Sequence, residues 1–121
     1  MAIDDKTGLL YSIHPSRKIH VFNLSGIREG AALATTSQLA YKNGPYCLDF
    51  HEGRMFVSSN GVEKFCEVDS ETGEIMNDFT VIGDITLQNQ EKFCIRRNTL
   101  FVVDRASSGQ RVYAIPVSEL K

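Results

Sequence analysis

An all-β fold, built from about three repeated antiparallel four-stranded units with the last one incomplete, is what this sequence predicts. Three observations carry that expectation. Short apolar runs rich in aliphatic, aromatic and β-branched residues recur along the chain. Glycine-bearing polar turns separate them. Above all, the chain repeats itself with a period of 45 to 47 residues, and repeats of that length bury a shared core by stacking on their neighbours.

The repeat is visible in four residue types that keep phase. Tyr11, Phe56 and Phe101 lie 45 apart in both steps, and Lys18, Lys64 and Arg111 lie 46 and then 47 apart. Gly26 and Gly73 are separated by 47, as are Cys47 and Cys94. The units run approximately over 1–45, 46–92 and 93–121, within a single domain covering 1–121.

In the first unit a strand opens directly after Met1, and Asp5-Lys6-Thr7-Gly8 makes a tight turn. Leu10-Tyr11-Ser12-Ile13 reads as a buried strand, and residues 18–22 alternate as a half-buried strand does. About 20 residues follow Gly26 before the next unit, which leaves room for a fourth strand near 32–36. The competing reading is a short helix over 30–41, with Ile27, Ala31, Ala34 and Gln38 on one face, which would make the chain an α+β adaptor. Gln38 breaks that stripe and Thr35-Thr36 weaken the helix.

The second unit repeats the pattern. His51-Glu52-Gly53 is the turn, Met55-Phe56-Val57-Ser58 the buried strand, and 64–68 the half-buried one. The turn Ser70-Glu71-Thr72-Gly73 follows, with a fourth strand expected near 79–82. In the third unit Leu100-Phe101-Val102-Val103 and residues 111–115 hold the corresponding places. Only residues 117–121 remain after them, so the strand count is four, four and three.

Composition excludes several functions. The chain has 121 residues, 42% of them hydrophobic, and a formal charge of -2. That balance offers no basic face for nucleic acid. No apolar run approaches the roughly 20 residues of a membrane-spanning helix. Met1-Ala2-Ile3-Asp4-Asp5 enters acidic residues at once, so no secretory leader is expected. The cysteines, Cys47, Cys66 and Cys94, fit neither a disulfide framework nor a paired zinc motif. They read as small buried hydrophobes in a reducing, cytoplasmic setting, with only Cys94, beside Arg96 and Arg97, hinting at a reactive thiol. The Arg96-Arg97 pair itself reads as solvated turn residues.

The units resemble blades of the β-propeller repeat superfamily, of the YVTN/NHL and lactonase-like kind. The residues that carry the likeness are Ile3-Asp4-Asp5-Lys6-Thr7-Gly8-Leu9-Leu10-Tyr11 with Lys18-Ile19-His20-Val21-Phe22-Asn23-Leu24-Ser25-Gly26, and Glu67-Val68-Asp69-Ser70-Glu71-Thr72-Gly73-Glu74-Ile75. The Gly-His and Trp-Asp signatures of WD40 blades are absent. The resemblance implies a partial β-propeller. Closed rings use about four to eight blades, so two lateral faces would lack a neighbour. A fragment of a larger propeller, or copies assembling into a ring, would satisfy them.

The resemblance also implies that ligands approach the rim built by the loops at 14–17, 42–45, 60–63 and 104–109. That brings together His14, Arg17, Asn60, Glu63, Asp104 and Arg105, each of which by itself reads as a solvated turn residue. Arg17, Lys42 and Arg105 have the chemistry to recognise an acidic peptide or phosphate. Asn60, Glu63 and Asp104 are oxygen donors suited to a divalent metal. Asp49 would lie on the innermost strand. No nucleophile elbow, P-loop or dinucleotide fingerprint occurs. The expected function is therefore a non-catalytic binding or scaffold module, with a protein partner, further blades or a second copy as its ligand and no cofactor. A metal-dependent lactonase-like fragment is the alternative.

Overall fold

The computed structural model describes residues 1–14, 18–24, 30, 35–41, 44–59, 65–79, 83, 85 and 90–121. Among them the strands are β1 (Ala2–Asp4), β2 (Leu9–Ile13), β3 (Ile19–Asn23), β4 (Thr35–Gln38), β5 (Pro45–His51), β6 (Arg54–Ser59), β7 (Phe65–Val68), β8 (Ile75–Phe79), β9 (Gln90–Arg96), β10 (Thr99–Ala106) and β11 (Gly109–Pro116). A single 3-10 turn, Val117–Glu119, follows. The strands form three antiparallel sheets in which each pairs only with its neighbour in sequence: β1-β2-β3-β4, β5-β6-β7-β8 and β9-β10-β11. The all-β class and the count of four, four and three strands stand as expected. Among the described residues no helix is long and apolar enough to cross a membrane.

Three boundaries differ from expectation. The fourth strands lie at Thr35–Gln38 and Ile75–Phe79, meeting the expected 32–36 and 79–82 only at residues 35–36 and 79; residues 32–34 and 80–82 lie outside the described residues. The helix over 30–41 is also displaced at its C-terminal half, because Thr35–Gln38 pairs with β3 instead; residues 31–34 lie outside the described residues. Finally, 104–109 is no loop. β10 runs on through Ala106, and its ladder with β11 closes with Ala106 opposite Gly109. Polar residues at the exposed end of a hairpin satisfy their backbone by pairing as well as apolar ones do.

Two turns share one construction, and the sequence dictates it. After β1, the Asp4 carboxylate accepts the Lys6 N–H at 3.0 Å and the Thr7 hydroxyl at 3.0 Å. After β7, Asp69 Oδ1 accepts the Glu71 and Thr72 N–H groups at 2.8 and 3.1 Å. Each turn closes with a glycine N–H donated back to the aspartate carbonyl, Gly8 to Asp4 and Gly73 to Asp69, both at 2.8 Å. Those glycines take φ of 71° and 83°, a conformation costly for residues with a Cβ.

Packing follows the alternation of side chains on the strands. One face of the first sheet, with Tyr11, Ile19 and Val21, packs on Leu48, Met55, Val57, Cys66 and Val68 of the middle sheet. The opposite face of the middle sheet, with Phe56 and Phe65, packs on Phe93, Ile95, Leu100, Val102 and Ile115 of the last sheet. We call the face that looks toward the next sheet in sequence the leading face, and its opposite the trailing face. The middle sheet is buried on both, so residues 55–59 and 65–68 show no exposed position at all. The first strands converge: β5 contacts β9 on one side and β1 and β2 on the other.

Candidate functional site

The convergence of β1, β5 and β9 brings the polar side chains of three sheets to one groove. Its larger part is a cleft of about 690 Å³ whose lining includes Ile3, Asp5, Lys6, Asp49, Glu52 and Arg96. A second depression of about 410 Å³ runs along the same strands past Tyr46, Lys92 and Cys94. A first strand has no partner on its inner edge, so its backbone groups must find side chains or water. On β9 they find β5. The Ile95 N–H donates to Asp49 Oδ2 at 2.8 Å, and the Cys47 thiol donates to the Phe93 carbonyl at 3.4 Å.

Asp49 is the hub of this edge. Its Oδ1 accepts the Phe50 N–H at 2.8 Å, and Arg96 Nη1 approaches Oδ2 at 3.5 Å. Asp4, at the end of the first strand of the first sheet, spends both oxygens on its own turn. Lys6 lies across Gly53 so closely that a Cβ there would fall 2.8 Å from Nζ. Lys92 sits over the Tyr46 ring at 4.8 Å, a cation–π contact. The groove thus carries mixed charge, and its best-placed carboxylates are occupied by backbone and turn hydrogen bonds.

A further buried carboxylate lies outside the groove. Arg54 binds Glu67 through two parallel contacts at 3.0 and 2.9 Å, and Asn77 Nδ2 donates to Glu67 Oε1 at 2.7 Å. The Arg54 hydrogen bonds hold the Glu67 carboxyl below its ordinary range, against the opposing effect of burial. In the first core, burial pushes the Tyr41 hydroxyl up to about 12, while it shares a 2.6 Å hydrogen bond with the Ser59 hydroxyl. Both groups brace the core; neither faces the groove.

The residues anticipated at a rim have mixed fates. His14 is exposed at the end of β2 and stacks on His20 with centroids 4.7 Å apart. Asp104 is 1% exposed, inside β10 and opposite Gln90 and Arg111. Arg105 is exposed on the same strand, opposite Gln110. Arg17, Lys42, Asn60 and Glu63 lie outside the described residues. His14 therefore belongs to the first sheet, and Asp104 and Arg105 to the last.

Sequence reasoning placed Asp49 on an inner strand but missed its partner. Arg96 is not a turn residue: it ends β9, and the turn is Arg97-Asn98, both at positive φ. No local pattern marks the contact, since Asp49 and Arg96 lie on first strands of different sheets. Cys66 is buried and Cys94 exposed, each as a free thiol. Among the described residues no group of three or more His, Cys, Asp or Glu side chains is placed to hold a metal ion. No protein-family model matches the chain, and no curated protein is significantly similar to it.

Proposed function

We propose that the chain is a non-catalytic β-propeller-type binding and scaffold module, acting through protein–protein interaction as part of a larger propeller. On this reading the three sheets are blades and β1, β5 and β9 are their inner strands. One observation carries it. Positions that form the interior where sheets stack, such as Phe65, recur uncovered on the last sheet, where Val112 is 67% exposed. Exposed apolar positions of that kind mark a surface awaiting a partner. The engagement of Asp4, Asp49 and Glu67 in hydrogen bonds supports a role in holding shape over one in proton transfer. The free thiols fit a reducing, cytoplasmic compartment.

The test is a metal titration and a hydrolysis assay on the purified chain. We expect no heat of binding with calcium or zinc and no turnover of lactones or phosphoesters. Metal-dependent hydrolysis that disappears in Glu63→Ala and Asn60→Ala would replace this reading with the lactonase-like one.

A further inference from the structure

The two outer faces of the chain are complementary halves of the contact it already makes twice inside. On the leading face, the equivalent aromatic positions Tyr11, Phe56 and Phe101 are 2%, 1% and 37% exposed. The positions Ile19, Phe65 and Val112 run 0%, 1% and 67%. On the trailing face the order reverses: Ile3 on β1 is 49% exposed, whereas Leu48 on β5 and Ile95 on β9, which share that face of their sheets, are 4% and 2% exposed. Leu10 and Phe22 are only partly buried, whereas their equivalents in the later sheets are buried. The last sheet therefore presents an open leading face, and the first sheet an open trailing face, each made of the residue types that close the two internal contacts.

Resting on the propeller-type reading above, we propose that a second copy of this chain covers both faces, the last sheet of each copy docking on the first sheet of the other. Two copies would place six sheets in a ring, within the about four to eight that such rings use. The contact is heterologous, with one patch meeting a different one, and two identical contacts close it. Self-complementarity supports the choice of occupant. Phe101 and Val112 of the last sheet hold the places of Phe56 and Phe65, which close the internal contact between the second and third sheets. Leu10 and Phe22 of the first sheet hold the places of Leu100 and Ile115, which receive it.

Analytical ultracentrifugation of the full chain tests this. The expected result is a concentration-dependent species of twice the 13.5 kDa chain mass. Val112→Asp should disable one patch and Ile3→Asp the other, each variant sedimenting as a monomer. Mixed together, the two should regain a dimer, because one intact contact survives between them. Phe101→Arg is a second variant for the last sheet if Val112→Asp does not fold, as judged by circular dichroism. A wild-type monomer at the highest concentration reached, or a dimer broken by only one patch and not rescued by mixing, overturns the proposal. Spin labels on first strands and on last strands of the monomeric variants separate the two levels. Sheets that still fan from converging first strands leave the propeller-type reading standing without self-assembly; sheets that do not overturn both.

Discussion

Phe65 in β7 and Val112 in β11 hold corresponding places in the third strands of their sheets and lie on the same face, yet 1% of one and 67% of the other is exposed. Strand pairing does not separate them, since both lie in regular antiparallel ladders. Their neighbours do. The last sheet covers Phe65, and among the described residues no sheet covers Val112. Burial in this chain is a property of stacking rather than of the strand, as in repeat architectures whose stability sums over nearest-neighbour contacts.

That contrast can be broken most forcefully at the aromatic position. Phe56→Ala removes a covered ring and should cost about 3–5 kcal/mol. Phe101→Ala, at the open equivalent, should cost about 1 kcal/mol or less in the dilute monomer. Urea denaturation of both checks it; equal losses would mean that the open face is covered after all. The paired turns offer a second contrast. Gly73→Ala should cost about 2–3 kcal/mol, because strain from positive φ adds to a Cβ lying 2.7 Å from the Ala40 nitrogen. Gly8→Ala has the same turn and open space around it, so only the strain of about 1–2 kcal/mol remains. Thermal melts of the pair would expose the difference.

Two smaller effects concern the middle sheet's polar braces. Glu67→Gln should cost about 2 kcal/mol at neutral pH by breaking the charged pair with Arg54. Because Arg54 depresses the Glu67 pKa, the pair contributes fully above the ordinary carboxylate range of about 4.3 and is lost as pH falls through the lower folded value. The variant should flatten the acid side of the stability–pH curve, and an unchanged curve would remove Glu67 from that role. Asp49→Asn should cost about 1 kcal/mol and accelerate amide exchange at Ile95, whose N–H it accepts.

The sheets of this chain were legible in its sequence because short apolar runs, such as residues 55–58 and 100–103, are set off by polar turns. The fourth strands were less so. Ile75-Met76-Asn77-Asp78-Phe79 is exposed at four of its five positions, so no alternation marks it; only the Asp69–Gly73 turn before it fixes where it must start. Thr35–Gln38 is polar throughout, and among the described residues β3 is its strand partner. Asp104 reads as a loop residue in the sequence because the stretch around it is polar, whereas it is a buried strand residue. Composition marks where a strand meets solvent, not where its ladder ends. For the groove, Asp49 could be placed but Arg96 could not, since a contact between first strands of different sheets leaves no trace in local pattern.

The neighbour-only pairing of the strands also sets an order of events in time. β10 and β11 share eight ladder pairs across a two-residue turn, so this hairpin closes on the scale of about 1–10 μs. Docking of the sheets needs contacts across longer stretches of chain and comes later. The middle sheet, which must wait for a neighbour on each side, is the last to shed its water.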